Sequence, residues 1–200
     1  MDATNKRIGH TTSFINNILS TTFSVCTLAP SLIPMTEIQS HPLHIYTDGS
    51  SRGNPGPGGY GALLIWGNKT KELAAGYRLT TNNRMELLAV IMALESLTRR
   101  DIPLTIFTDS QYVVNSIEKK WLNNWVKTNF KGGKKNKDLW LRYFELSKHF
   151  SIQLKWVKGH ANNPFNNRCD ELATQAADSK QLLIDEAYEA ENKYPFQYKR

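Results

Sequence analysis

Ile45-Tyr46-Thr47-Asp48-Gly49-Ser50 reads as an apolar strand that finishes on a carboxylate and runs straight into a turn. Ile106-Phe107-Thr108-Asp109-Ser110 repeats the pattern further along the chain. Two strands that each end on Thr-Asp can set two carboxylates side by side at one edge of a sheet. Like charges held that close repel, so the pair must share a proton or hold a cation. Mg²⁺ is the cation expected here, and the rest of the chain is read for what such a site needs.

A chain of 200 residues is one ordinary domain with room for tails. Its net charge of +7 is unevenly spread. Residues 1–40 balance (Lys6 and Arg7 against Asp2 and Glu37), and 181–200 hold three basic and four acidic residues. Residues 41–180 therefore carry twenty basic and twelve acidic side chains, a net +8 that points to a polyanionic partner. Two cysteines, Cys26 and Cys169, are too few for a disulfide framework and lack metal-ligand spacing, which fits a reducing, cytoplasmic setting. No run of eighteen apolar residues predicts a membrane span. Lys6-Arg7 followed by Phe14–Pro34 faintly resembles a signal peptide, but Asn16-Asn17, Pro30 and Pro34 interrupt the apolar part. Residues 1–40 are expected to be a poorly ordered extension, or the chain to begin in effect at Met35.

Leu43–Asp48 is the first strand. The Gly- and Pro-rich stretch 49–59 is too broken for a helix or strand to persist through it. Tyr60–Trp66 and Glu72–Leu79 form a hairpin around Gly67-Asn68. Thr80-Thr81-Asn82-Asn83 offers N-caps for a helix over about 83–98 that is apolar on nearly every side, with Glu86 in its first turn. The strand Leu104–Asp109 follows, then a helix capped by Ser110, then a short helix with Trp121 and Trp125. After a basic loop come a helix over about 138–149 and the strand Ile152–Val157. The last helix has Asn163 as its cap and Pro164 in its first position. Residues 181–200 are expected to fray. Antiparallel hairpins followed by strand–helix–strand crossovers make a mixed sheet covered by helices, an α/β domain over 41–180.

Four acids stand out: Asp48 and Asp109 at strand ends, Glu86 in an apolar helix, and Asp170 beside the inner stripe of the last helix. Strand ends and helix starts meet at one edge of such a sheet. Four carboxylates bring −4, which would repel a phosphate unless divalent cations cancel it. Mg²⁺ takes hard oxygen ligands and leaves room for substrate phosphate. A lone acid of this kind is more often a helix cap or a surface charge. A pair of strand-terminal Thr-Asp copies with a Glu inside an apolar helix is not explained that way.

Six collinear blocks carry a resemblance: Tyr46-Thr47-Asp48-Gly49-Ser50, Gly53-Asn54-Pro55-Gly56-Pro57-Gly58-Gly59, Thr81-Asn82-Asn83-Arg84-Met85-Glu86-Leu87, Thr108-Asp109-Ser110-Gln111-Tyr112-Val113, Trp156-Val157-Lys158-Gly159-His160 and Arg168-Cys169-Asp170-Glu171-Leu172-Ala173. Together they resemble type 1 ribonuclease H of the bacterial kind over about 42–180. The resemblance implies a ribonuclease H-like fold, a mixed five-stranded sheet with helices on both faces, in a monomer. It implies endonucleolytic cleavage of the RNA strand of RNA–DNA hybrids, leaving 3′-hydroxyl and 5′-phosphate ends. Asp48, Glu86, Asp109 and Asp170 would hold two Mg²⁺ ions, with Mn²⁺ as a substitute, and His160 would assist proton movement or product release. Asn54, Asn82 and Gln111 would touch the groove. Thr81, Arg84 and Asn124 would hold a DNA phosphate.

Residues 119–137 hold seven lysines and no acid, interleaved with Trp121, Trp125 and Phe130. A charge run is usually a solvated face. The lack of any compensating acid, with aromatics inside the run, favours a nucleic-acid-binding arm. It resembles the basic protrusion of the family, in which Phe130 stands where Trp is common. A non-catalytic hybrid binder is the competing class, but a binder gains nothing from four carboxylates beside its groove. Telling RNA from DNA requires reading the 2′-hydroxyl across a wide minor groove.

Overall fold

The structure is a computed structural model that describes residues 42–159 and 162–193. The expectation for residues 1–40 lies outside the described residues. Five strands, β1 (Leu43–Ser51), β2 (Gly56–Trp66), β3 (Lys69–Thr80), β4 (Leu104–Thr108) and β5 (Ile152–Trp156), form one sheet in the order β3-β2-β1-β4-β5. β1 pairs antiparallel with β2, and β2 with β3; β1 pairs parallel with β4, and β4 with β5. The helices are α1 (Asn82–Glu95), α2 (Gln111–Glu118), α3 (Trp121–Lys127), α4 (Lys137–Ser147), α5 (Pro164–Ala177) and α6 (Glu186–Lys193).

Strand side chains alternate between the sheet's faces, and the two faces find different partners. Leu43, Ile45 and Ile106 join the large core with α1, whose Met85, Leu87, Leu88, Val90, Ile91 and Leu94 are all buried. Tyr46 and Leu63, on the opposite face, pack with Cys169 of α5. Helices therefore cover both faces. An α1 that is apolar all round suits a helix enclosed by β1 and β2 on one side and α4 on another.

The Gly-rich stretch differs from its sequence reading. β1 continues to Ser51 and β2 begins at Gly56, with Ser51 opposite Gly58 and Ser50 opposite Gly59. Glycine weakens a strand only where a side chain would have packed. At Gly59 there is no room for one, because a Cβ would overlap the backbone of Ala173 and Ala177 in α5. Only 52–55 is a loop, and the flanking glycines are strand residues that allow close approach of a helix.

Of residues 181–200, expected to fray, 194–200 lie outside the described residues, and 181–193 are ordered against the domain. Leu183 forms a parallel bridge to Tyr77, donating its N–H to Gly76 O at 2.8 Å and accepting from Arg78 N at 2.9 Å, so it covers the outer edge of β3. Asp185 and Glu189 are buried. Asp185 meets both Nε and Nη2 of Arg84 at 2.7 Å, and Glu189 meets Arg78 at 2.8 and 2.9 Å. What reads as an acidic tail is a set of partners for two guanidinium groups, one of them buried.

Candidate active site and nucleic-acid interface

β1 and β4 lie side by side and parallel, with Thr47 opposite Thr108. Their shared direction puts Asp48 and Asp109 next to each other at one edge. Gly49 makes the third contribution possible: a Cβ there would overlap the backbone of Met85 and Glu86, so only glycine lets α1 sit against the end of β1. Asp170 comes from the second turn of α5. The result is a polar cleft of about 510 Å³ lined by Asp48, Glu86, Asp109, Asp170, Asn82 and Arg52, among others. Four acids from four separate segments line one space. Glu86 enters it from the second turn of α1 rather than the first, since the helix begins at Asn82.

Each of three carboxylates is held by its own donor. Asp48 Oδ1 accepts from Gly49 N at 2.7 Å. Glu86 accepts from Asn82 Nδ2 at 2.9 Å and from the Ser110 hydroxyl. Asp109 Oδ2 accepts from Asn166 Nδ2 at 3.5 Å. Among the described residues no three His, Cys, Asp or Glu side chains close on a common point as a ready-made metal site. The four acids share the cleft's lining.

The electrostatics of the cleft favour positive charge. Burial, then Asp109, and more weakly Asp170 and Glu86, push the Asp48 carboxyl up to about 8, against the opposing hydrogen bond from Gly49. Burial and Asp109 push Glu86 up to about 7, against the hydrogen bonds from Ser110 and Asn82. Groups raised this way favour any nearby positive charge. The donor set is hard oxygen throughout, which fits a divalent cation of the Mg²⁺ type and not a thiophilic one.

Sequence reading missed three partners. Ser110 was legible only as the cap of α2, which it is (Val113 N donates to its Oγ at 3.2 Å), but it also ties Glu86. Asn166, 1% exposed, braces Asp109 one helical turn before Asp170; that spacing of four was the available signal. Arg52 lines the cleft while paired with Asp178 at 2.6 and 2.7 Å. His160 lies outside the described residues.

The other expected contacts divide. Asn82 lines the cleft, and its backbone N–H donates to Asn54 Oδ1 at 3.3 Å. Gln111 is exposed at the start of α2, beside Lys119 and Trp156. Asn124 is exposed on α3, whereas Thr81 lies in a separate trough beside Asn54. Arg84 does not offer its guanidinium to a DNA phosphate as the resemblance implied. It is 1% exposed, its guanidinium closed between Asp185 (2.7 Å) and Asp138 (2.8 and 2.9 Å), with the Tyr188 ring 5.5 Å away. Four of its five N–H donors go to the two carboxylates and the fifth to Asn136 Oδ1 at 3.5 Å, which leaves none for a phosphate.

In the basic arm, Trp121 is 44% exposed with the Lys119 ammonium 5.2 Å from its ring. Trp125 is half-buried against Trp140 and Phe130, so it anchors the arm to the core. Phe130 is buried at a positive φ of 58°, an uncommon conformation that its burial beside Trp125 holds in place. The tip, Lys131 to Lys135, is exposed.

Residues 40–178 match the family model for RNase H. A ribonuclease H of Pectobacterium atrosepticum is 52% identical over 153 residues, 74% of this chain and 97% of that protein. One of Idiomarina loihiensis is 48% identical over 155 residues, 76% of this chain and 98% of that protein. Among solved structures, RNase H1 of the archaeon Halobacterium salinarum superposes with a TM-score of 0.54 at 30% identity, covering 68% of this chain and 98% of that one. LC11-RNase H1, solved in complex with an RNA/DNA hybrid, superposes with a TM-score of 0.54 at 26% identity, covering 68% and 96%. A cleft of four carboxylates at the ends of β1 and β4, on a sheet of this order, is thus found in a chain that belongs to the RNase H family.

Proposed function

We propose that this protein is an endonuclease that hydrolyses the RNA strand of RNA–DNA hybrids, leaving 3′-hydroxyl and 5′-phosphate ends. The observation that carries it is one polar cleft lined by Asp48, Glu86, Asp109 and Asp170, beside an arm of lysines and aromatics.

Asp48, Glu86, Asp109 and Asp170 would hold divalent metal, two Mg²⁺ ions with Mn²⁺ as a substitute. When bound, such ions neutralise the phosphate's approach, lower the pKa of water and stabilise the leaving oxygen. The chain's own residues do the rest. Ser110 and Asn82 fix the Glu86 carboxylate, and Gly49 N fixes that of Asp48, so little reorganisation is left for the reaction itself. Asn54 and Asn82, tied to each other, present amides at the cleft's rim where a 2′-hydroxyl can be read. Gln111, at the start of α2 beside Lys119 and Trp156, would add a further groove contact. Lys119, Lys134 and Lys135, with Trp121, grip the DNA strand through charge and stacking. His160 accepts or delivers a proton as product leaves. The protein acts as a monomer in the cytoplasm; among the described residues no helix is long and apolar enough to cross a membrane.

The test is a gel assay on four matched duplexes (RNA–DNA, RNA–RNA, DNA–DNA, and a hybrid with one ribonucleotide) with Mg²⁺ or with EDTA. Cleavage confined to the RNA strand of the hybrid, and lost in EDTA, is the expected result. Binding of the hybrid without cleavage under any divalent ion would leave a non-catalytic binder.

A further inference from the structure

Beside the carboxylate cleft runs a second and larger trough, of about 690 Å³. One wall is Asn54 and Thr81, at the start of α1; the next is Lys134 and Lys135, at the tip of the basic arm. The remaining wall is α6, which contributes Tyr188, Glu191 and Asn192. The two spaces are joined through the Asn82 N–H to Asn54 Oδ1 contact, since Asn82 lines the cleft and Asn54 the trough. A hybrid whose RNA strand lies in the cleft crosses this rim with its minor groove, which brings the DNA strand over the trough.

The arm wall of the trough suits a polyanionic backbone, and the α6 wall opposes it. Both arm lysines are exposed, whereas Arg84, buried beneath, is spent on Asp138 and Asp185. Arg84 with its two acids sums to −1, so positive charge for a phosphate comes from Lys134 and Lys135 alone of these groups. Glu191, exposed on α6, lies across from them. The segment that carries α6 is fixed, because Asp185 and Glu189 are buried on Arg84 and Arg78.

We propose that α6 is a wall of the DNA-strand channel, and that Glu191 sets how tightly the deoxyribose-phosphate backbone is held there. This rests on the hybrid-cleaving function proposed above. The C-terminal segment thereby tunes substrate affinity without touching the carboxylates.

The test compares Glu191→Lys with Asp101→Lys, the same charge reversal in the exposed loop before β4, at the other end of the strands from the cleft. KM for hybrid cleavage, and hybrid binding by fluorescence anisotropy in EDTA, are measured across a salt series. Two added charge units about 10 Å from a phosphate are expected to tighten binding roughly threefold at low ionic strength. The gain falls on KM rather than kcat and shrinks as salt rises. Asp101→Lys is expected to change neither. Equal binding by the two variants at low salt overturns the proposal. Failure of the wild-type protein to cleave the hybrid would overturn the function instead, and leaves the binding comparison standing.

Discussion

Replacing Asp48 by Asn should abolish cleavage and at the same time stabilise the protein in EDTA. Asp48 is 7% exposed, and its carboxyl is pushed up to about 8, first by burial and then by Asp109. A group whose folded pKa lies above its unfolded value costs nothing below the unfolded value, near 3.9. Its stability contribution is lost as pH rises from there through the folded value. At pH 7 the span is about 3 units, or ~4 kcal/mol at 1.36 kcal/mol per unit. Burial is the larger cause, an Asn there is still a buried polar group, and solvent in the open cleft screens the charge, so about half of that, ~2 kcal/mol, is expected to be recovered. An Asn keeps an oxygen for the Gly49 N–H. For a domain of this size ~2 kcal/mol raises the melting temperature by roughly 4–8 °C. Thermal melts of the two proteins in EDTA should coincide near pH 4, diverge as pH rises, and hold a constant gap above about pH 8. Hybrid binding should be unchanged or tighter, because one negative charge leaves the groove. A variant that melts at or below wild type at pH 7 in EDTA, or that still turns over, refutes the reasoning.

Asp185→Asn should lower stability by roughly 2–3 kcal/mol, less than the full cost of breaking a buried ion pair because Asp138 remains on Arg84. A fall in melting temperature of roughly 5–10 °C is expected, and a shift below about 2 °C would show that the C-terminal segment is not anchored there. Cys169 is fully buried, with its thiol pushed up to about 12 by burial and by Asp48. Its peptide should therefore resist alkylation at pH 8 until the protein is unfolded in denaturant; rapid labelling of the native protein, read by mass spectrometry, would contradict the packing of α5.

The sequence by itself determined the strands, since apolar alternation and the two Thr-Asp endings are local signals. It determined the buried character of α1 and the caps Ser110 and Asn163, and it singled out Asp48, Glu86, Asp109 and Asp170 as candidates, because each signal lies within a few residues. It could not determine pairings between distant segments. That Gly59 is a strand residue depends on α5 crossing it, more than a hundred positions later. That Glu86 is held by Ser110, and Asp109 by Asn166, depends on three elements meeting at one sheet edge. Arg84 shows the difference most sharply. Its motif suggested a phosphate ligand, but the C-terminal segment folds back and brings Asp185 to a guanidinium that Asp138 already holds. A buried charge takes the nearest partner that can follow it out of water, and only the tertiary fold decides which one that is.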